Sequence, residues 1–314
     1  MFRSLTKLLS VRVLSVSVLA SLLSVSVHSD AFELNLDKTE TIPFVMRAGY
    51  PFVDITISGV THNLLIDMTD YRQITLSSKV LEHTPHKVQG TEKYGGANDK
   101  IFFLKKFALE EVKLGNLVKT NVKGTEEAFD PNYPTPSPSG AIGAAMFFDG
   151  ILEFDFHKSQ LKVTPNGKMP ACEPLASLGI PLVTLATFRG EKLTFFLDIA
   201  YQYSVIDSGV VLAQQLAQHP RQVLPNQNKG SETRNLPSMF TVDELSFENF
   251  TLNDIRFVPL PMADSGIQGV LGMDVFRRYN LAIDFPNNCF NLPLAKSDPS
   301  SKASKFELRI PENF

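Results

Sequence analysis

Two aspartates stand at matching places in this sequence, and a carboxyl group is the side chain here best suited to moving protons. Gly59 precedes Asp67 by eight residues, and Gly190 precedes Asp198 by eight. An aspartate at a strand end can act as a general acid or base, or it can only cap a turn. Two in register are more suggestive of chemistry than a single one, and they also fit inherited geometry without activity. Asp155 and Asp284 repeat as well, in Leu-Glu-Phe-Asp-Phe and Leu-Ala-Ile-Asp-Phe, but they precede the turn-forming residues Lys158-Ser159 and Pro286-Asn287-Asn288 and read as structural caps. Asp274 has Ala145 at its counterpart position, which argues against a symmetric role. Other chemistries find little support. The 6 histidines show no HExxH pattern and no i, i+4 pairing. Cys172 and Cys289 have no nearby histidine pair and make no zinc set. Neither a metal nor a cofactor is expected, and one disulfide is the default reading of the two cysteines.

The elements that must position these aspartates also repeat. Pro51-Phe-Val-Asp-Ile-Thr-Ile-Ser-Gly59 leads to Leu64-Leu-Ile-Asp67, and Pro181-Leu-Val-Thr-Leu-Ala-Thr-Phe-Arg-Gly190 leads to Phe195-Phe-Leu-Asp198. The β-branched and aromatic residues flanking each glycine predict a strand, a turn and a second strand ending in Asp. Further on, Gly140-Ala-Ile-Gly143 matches Gly269-Val-Leu-Gly272, 76 residues beyond Asp67 and 74 beyond Asp198. Landmarks in one order at nearly equal spacing mark a tandem duplication. Between them, Val211 to Gln218 reads as a short helix, while Tyr94-Gly95-Gly96 and the stretch from Asn226 to Glu232 read as hairpin tips. The four prolines between Asp130 and Ser139 require a loop. Phe306-Glu-Leu-Arg-Ile310 echoes Phe32-Glu-Leu-Asn-Leu36, so the two ends are candidates to pair in one sheet.

Bulk properties set the frame. A chain of 314 residues exceeds what one compact core usually takes and suits two lobes. Hydrophobic content of 43% with 20% charged residues excludes wholesale disorder. Arg3, Lys7 and Arg12 precede an apolar run from Val13 to Val27, and Ser29-Asp30-Ala31 supplies small residues for cleavage. That pattern predicts a secretory signal over residues 1–31 and an exported protein, periplasmic or secreted. The run is 15 residues long and interrupted by serines, short for a bilayer core of roughly 30 Å. Removing those residues leaves 27 Lys+Arg against 32 Asp+Glu, a net charge of −5. With no basic cluster to meet phosphates, nucleic acid is excluded as a partner.

A strand ending in apolar-apolar-Asp, followed some 75 residues later by apolar-apolar-Gly, resembles the aspartic peptidases of the retropepsin and pepsin type. The pieces that carry the resemblance are Leu65-Ile66-Asp67-Met68-Thr69, Ala141-Ile142-Gly143, Phe196-Leu197-Asp198-Ile199-Ala200 and Val270-Leu271-Gly272-Met273-Asp274. It implies an all-β fold of two retropepsin-like β-barrel lobes with short helices, related by a pseudo-two-fold axis within one monomer. The expected division is residues 32–165 for the first lobe, 166–294 for the second, and a polar tail over 295–314. It further implies that Asp67 and Asp198 form a pair sharing one proton, with one carboxylate activating water and the other donating to the peptide carbonyl. Tyr94, Gly95 and Gly96 would form a flap over an extended peptide held by strand addition.

The chain departs from the family's Asp-Thr/Ser-Gly motif in both copies. Met68 and Ile199 occupy the hydroxyl position and cannot make the cross-lobe hydrogen bonds found there. Thr69 and Ala200 occupy the glycine position, where a β-branched residue is a poor substitute if φ is positive. Asp70 adds a further charge beside Asp67. Two main readings follow from one fold: an exported peptidase acting through Asp67 and Asp198, or a catalytically silent relative that binds peptides or an envelope partner. A third reading treats the lobes as a purely structural envelope protein. A Cys172–Cys289 bridge would tie the ends of the second lobe together.

Overall fold

The structure is a computed structural model that describes residues 39–95, 101–127, 139–165, 167–170, 172–176, 182–215, 239–262 and 266–294. The expected signal segment, Gly96, the Asn226 to Glu232 tip and both terminal segments that echo one another lie outside these residues. Sharp hairpins organise what is described. Strands β1 (Glu40–Arg47), β2 (Tyr50–Ile57) and β3 (Val60–Asp67) are joined through Ala48-Gly49 and Ser58-Gly59, with φ of 48°, 88°, 49° and 82° in turn. Positive φ at both central residues is the signature of the two-residue turn whose twist matches antiparallel strands. It fixes the register Ile57↔Val60 through Phe52↔Leu65 and so delivers Asp67 to the end of β3. The second copy repeats the device. Arg189-Gly190, with φ of 49° and 85°, joins β12 and β13, defined below, and Asp198 follows β13 directly.

The first lobe continues with β4 (Ile74–Leu76), helix α1 (Ser78–Glu82), β5 (Lys87–Gly95), β6 (Ile101–Leu114), β7 (Leu117–Glu126), β8 (Gly140–Gly143), β9 (Gly150–Asp155) and β10 (Gln160–Pro165). Pairing runs β2-β3-β8-β4-β7-β6, and β6 returns to β2 through Thr56↔Lys113 and Ile57↔Val112. The second lobe comprises β11 (Glu173–Pro174), β12 (Val183–Phe188), β13 (Glu191–Leu197), β14 (Val205–Asp207), helix α2 (Ser208–Ala213), β15 (Phe240–Ser246), β16 (Thr251–Leu260), β17 (Gly269–Leu271), helix α3 (Met273–Phe276), β18 (Leu281–Asp284) and β19 (Cys289–Asn291). Its barrel runs β12-β13-β17-β14-β16-β15 and closes at Thr187↔Ser246. The two rings match strand for strand. The protein is therefore mostly β, with two six-stranded barrels and few helices. The helical turn expected near Val211 starts earlier, at Ser208, because Asp207 accepts from the Gly209 amide and caps it.

A separate layer joins the barrels in the order β1-β10-β9-β18-β19-β11. Its central pair is the repeated motif itself: Leu281↔Phe154 and Ile283↔Leu152 lie antiparallel across the axis relating the copies. Asp155 accepts from the Lys158 amide at 3.0 Å, and Asp284 from the Asn287 amide at 3.0 Å, so both carboxylates cap turns. Asp284 is fully buried and also accepts from the Met169 amide at 3.0 Å, which pins the segment joining the lobes. Glu173, buried in the same segment, accepts from the Glu248 and Asn249 amides at the β15–β16 turn. Cys172 and Cys289 are disulfide-bonded, with Cα atoms 5.6 Å apart. Apolar side chains from both barrels and from the joining layer, among them Phe107, Phe154, Phe195 and Phe276, form one continuous core.

Candidate active site

Each aspartate is set by a parallel strand pair. β3 runs beside β8 with Asp67↔Gly143, and β13 runs beside β17 with Leu197↔Leu271 and the Asp198 amide donating to Leu271 O at 3.0 Å. The loop after each aspartate folds back onto the glycine that ends the neighbouring strand. A Cβ at Gly143 would lie 2.3 Å from Arg72 O and 2.5 Å from Asp70 O, and one at Gly272 would lie 2.7 Å from Tyr203 O. The Ala144 amide donates to Asp70 O at 2.8 Å, and the Met273 amide to Tyr201 O at 2.8 Å. This close backbone approach is why apolar-apolar-Gly recurs in both copies: any side chain there would lift the aspartate loop off its strand.

The two carboxyl groups have unequal surroundings. Asp67 Oδ1 accepts from the Thr69 amide at 3.0 Å, the Thr69 hydroxyl at 2.6 Å and the Asp70 amide at 3.3 Å. Asp198 Oδ1 accepts from the Ala200 amide at 2.7 Å, its one donor among the described residues. Burial, followed by the charge of Asp67, pushes the Asp198 carboxyl up to about 7. The Asp67 charge thus opposes ionisation of Asp198. Neither Thr69 nor Ala200 has a positive φ. The sequence-based concern that a β-branched residue would be strained at Thr69 therefore does not apply, because this loop turns without a left-handed residue. Met68 and Ile199, at the hydroxyl positions, are both fully buried in the core.

Several residues at this site carried no signal in the repeat. Asp70 does not stand free beside Asp67: its Oδ1 accepts from the Arg72 amide at 3.0 Å and the Arg72 guanidinium at 3.3 Å. Burial raises the Asp70 carboxyl, Arg72 opposes the rise, and Asp67 adds to it. Arg72 Nη2 also donates to Glu92 Oε1 on β5 at 2.9 Å, joined there by the Tyr71 hydroxyl at 3.0 Å. The loop after Asp67 is thus clasped to the β5–β6 hairpin. In the other copy, Gln202 Nε2 donates to Ala48 O in the β1–β2 turn at 2.7 Å, tying the second lobe to the first. Tyr50 meets the Gln202 side chain; burial and the Asp198 charge both raise its phenol. Tyr201 is raised by burial and by Asp198 in the same way. Ser204 Oγ donates to Asp274 Oδ1 at 2.7 Å and accepts from the Gly272 amide at 3.0 Å, so Asp274 supports the second loop from below. Tyr94 and Gly95 end β5, paired with Phe102 and Ile101. Among the described residues no cluster of three or more His, Cys, Asp or Glu could hold a metal.

Residues 184–275, which carry Asp198, Gly272 and the second barrel, match the family described as aspartyl protease. That segment is aspartic-peptidase-like. Among solved structures, the aspartic proteinase from Irpex lacteus is similar at 12% identity and a TM-score of 0.49, over 82% of this chain and 97% of that one. A search of curated proteins returns no match. The family match covers the second copy of the repeat; the first copy has the matching ring of strands, with Asp67 at the matching strand end.

Proposed function

We propose that this protein is an exported aspartic-type peptidase that cleaves an extended peptide segment through Asp67 and Asp198. The observation that carries the reading is that Asp67 and Asp198 end matching strands of the two barrels; burial and the Asp67 charge also push the Asp198 carboxyl up to about 7. Two carboxyl groups whose surroundings differ this much sort into an acid and a base. Asp198 retains its proton below that pH and donates it to the peptide carbonyl oxygen. Asp67, an acceptor for three donors, takes a proton from the attacking water. The substrate lies beneath the β5–β6 hairpin, whose end carries Tyr94 and Gly95, and adds a strand to the exposed edge. The protein acts as a monomer, its two copies supplying the halves that a symmetric dimer would supply.

The test is digestion of an unfolded protein by the mature chain from about pH 3 to about pH 8. Cleavage is expected on the acid side, falling as pH rises through about 7, where Asp198 loses its proton. The double variant Asp67→Asn, Asp198→Asn should be inactive. Equal cleavage by parent and double variant would remove the pair from the mechanism. The second reading, peptide binding without cleavage, draws on the buried Met68 and Ile199 in place of hydroxyls. It predicts no cleavage at any pH, together with peptide binding that survives the double substitution.

A further inference from the structure

We propose that Thr69 is a positioning residue, its side-chain hydroxyl holding Asp67 as the proton-accepting member of the pair. This rests on the peptidase reading above for its functional meaning and on geometry alone for the contact. The hydroxyl lies 2.6 Å from Asp67 Oδ1, the shortest of the three donor contacts to that oxygen. No other hydroxyl is supplied by the two motif segments. Met68 and Ile199 have none and point into the core, and Ala200 leaves Asp198 with a single backbone donor. At the residue two places after the aspartate, a hydroxyl is thus present on the Asp67 side and absent on the Asp198 side.

Threonine suits this place better than serine would in one respect. Branching at Cβ restricts χ1, so the hydroxyl is held on the carboxylate with little freedom to leave it. Because the Thr69 backbone is not left-handed, that branch costs no strain. The donor absent from the motif's hydroxyl position is supplied one residue later, from the motif's glycine position. The contact orients the carboxylate by fixing a donor on its Oδ1.

The experiment follows the pair's titration by carbon NMR of aspartate side-chain carboxyls in the full chain, comparing the parent with Thr69→Val, Thr69→Ala and Thr69→Ser. A hydrogen bond to a charged group is strong enough that losing it should raise the lower of the pair's two titration steps by about one pH unit. That rise is expected in Thr69→Val and in Thr69→Ala, so the loss of one variant to misfolding leaves the other to report. Thr69→Ser should titrate like the parent. In a cleavage assay the acid limb of the kcat profile should move with the lower step, while KM changes little. A lower step that stays in place in both hydroxyl-free variants overturns the proposal. Absence of cleavage by the parent would count against the peptidase reading alone, and the titration would still decide whether Thr69 holds the carboxylate.

Discussion

Replacing Asp198 by Asn should stabilise the protein at alkaline pH and leave it nearly unchanged at acid pH. An aspartate raised from 3.8 to about 7 by its surroundings holds its proton in the fold over a range where the unfolded chain has already released it. Between about pH 4 and about pH 7, folding therefore requires proton uptake, and stability falls as pH rises through that window. Above it the deficit is constant. At about 1.4 kcal/mol per pKa unit, the full deficit is roughly 4 kcal/mol, an upper figure because a charged carboxylate can draw in water as the loop relaxes. Asparagine has the same shape, carries no charge, and its Oδ1 can still accept from the Ala200 amide that lies 2.7 Å from Asp198 Oδ1. Urea unfolding of the parent and of Asp198→Asn at about pH 4 and about pH 8 measures the effect directly. The expected result is near-equality at the lower pH and a gain of several kcal/mol for the variant at the higher. A gain of the same size at both values, or none at about pH 8, would refute the account of Asp198 as a carboxyl kept neutral by burial. Because burial is the larger cause and the Asp67 charge the smaller, Asp67→Asn should give a gain of the same sign at about pH 8 but of smaller size.

Two further outcomes follow from contacts away from the carboxyl pair. The Cys172–Cys289 bond closes a loop of 117 residues, so the double Ser variant should lose about 4–5 kcal/mol against the oxidised parent in guanidinium unfolding, and a loss under about 1 kcal/mol would count against a loop-entropy origin. Glu92→Gln should loosen the clasp between β5 and the Asp67 loop by about 1 kcal/mol, seen as roughly five-fold faster amide exchange along β5. Burial works against the Glu92 charge, but the Arg72 and Tyr71 hydrogen bonds prevail and hold its carboxyl below the ordinary value. The clasp should therefore contribute above the ordinary glutamate range and be lost only as pH falls through the lower folded value.

The fold was legible in the sequence because its punctuation is covalently simple. Gly59 and Gly190 each close a two-residue turn, and the strand that follows has a fixed length to its aspartate. Gly143 and Gly272 each sit under a backbone that tolerates no Cβ. Such positions admit few residue types, so they survive as spacing even where the two copies share little else. The site was legible only in part. Asp67 and Asp198 were singled out because they end strands in register, which is where they sit, and Asp155 and Asp284 read as caps from their turn neighbours. Arg72, Glu92, Gln202 and Ser204 were not found, because their roles depend on partners between 20 and 154 residues away. Nothing in a local pattern announces such contacts. For Thr69 the concern held only if φ were positive, as the family's glycine suggested; the loop here has no such residue, and the Thr69 hydroxyl donates to Asp67 instead.

Two copies in one chain need not remain alike, and on the peptidase reading proposed above their divergence bears on how the pair would divide its work. A symmetric dimer presents the same residues on both sides, so any difference between its two carboxyl groups must come from the substrate or from the shared proton. Here the difference is written into the chain. The first copy surrounds its aspartate with a hydroxyl, two amides and the Asp70–Arg72 pair. The second gives its aspartate one amide, deep burial and the neighbouring phenols of Tyr50 and Tyr201. Donors favour a carboxylate that stays charged, and burial favours one that stays protonated. On the peptidase reading proposed above, acid and base are therefore assigned before any substrate arrives, and the departures from the Asp-Thr/Ser-Gly pattern at Thr69 and Ala200 are part of what assigns them.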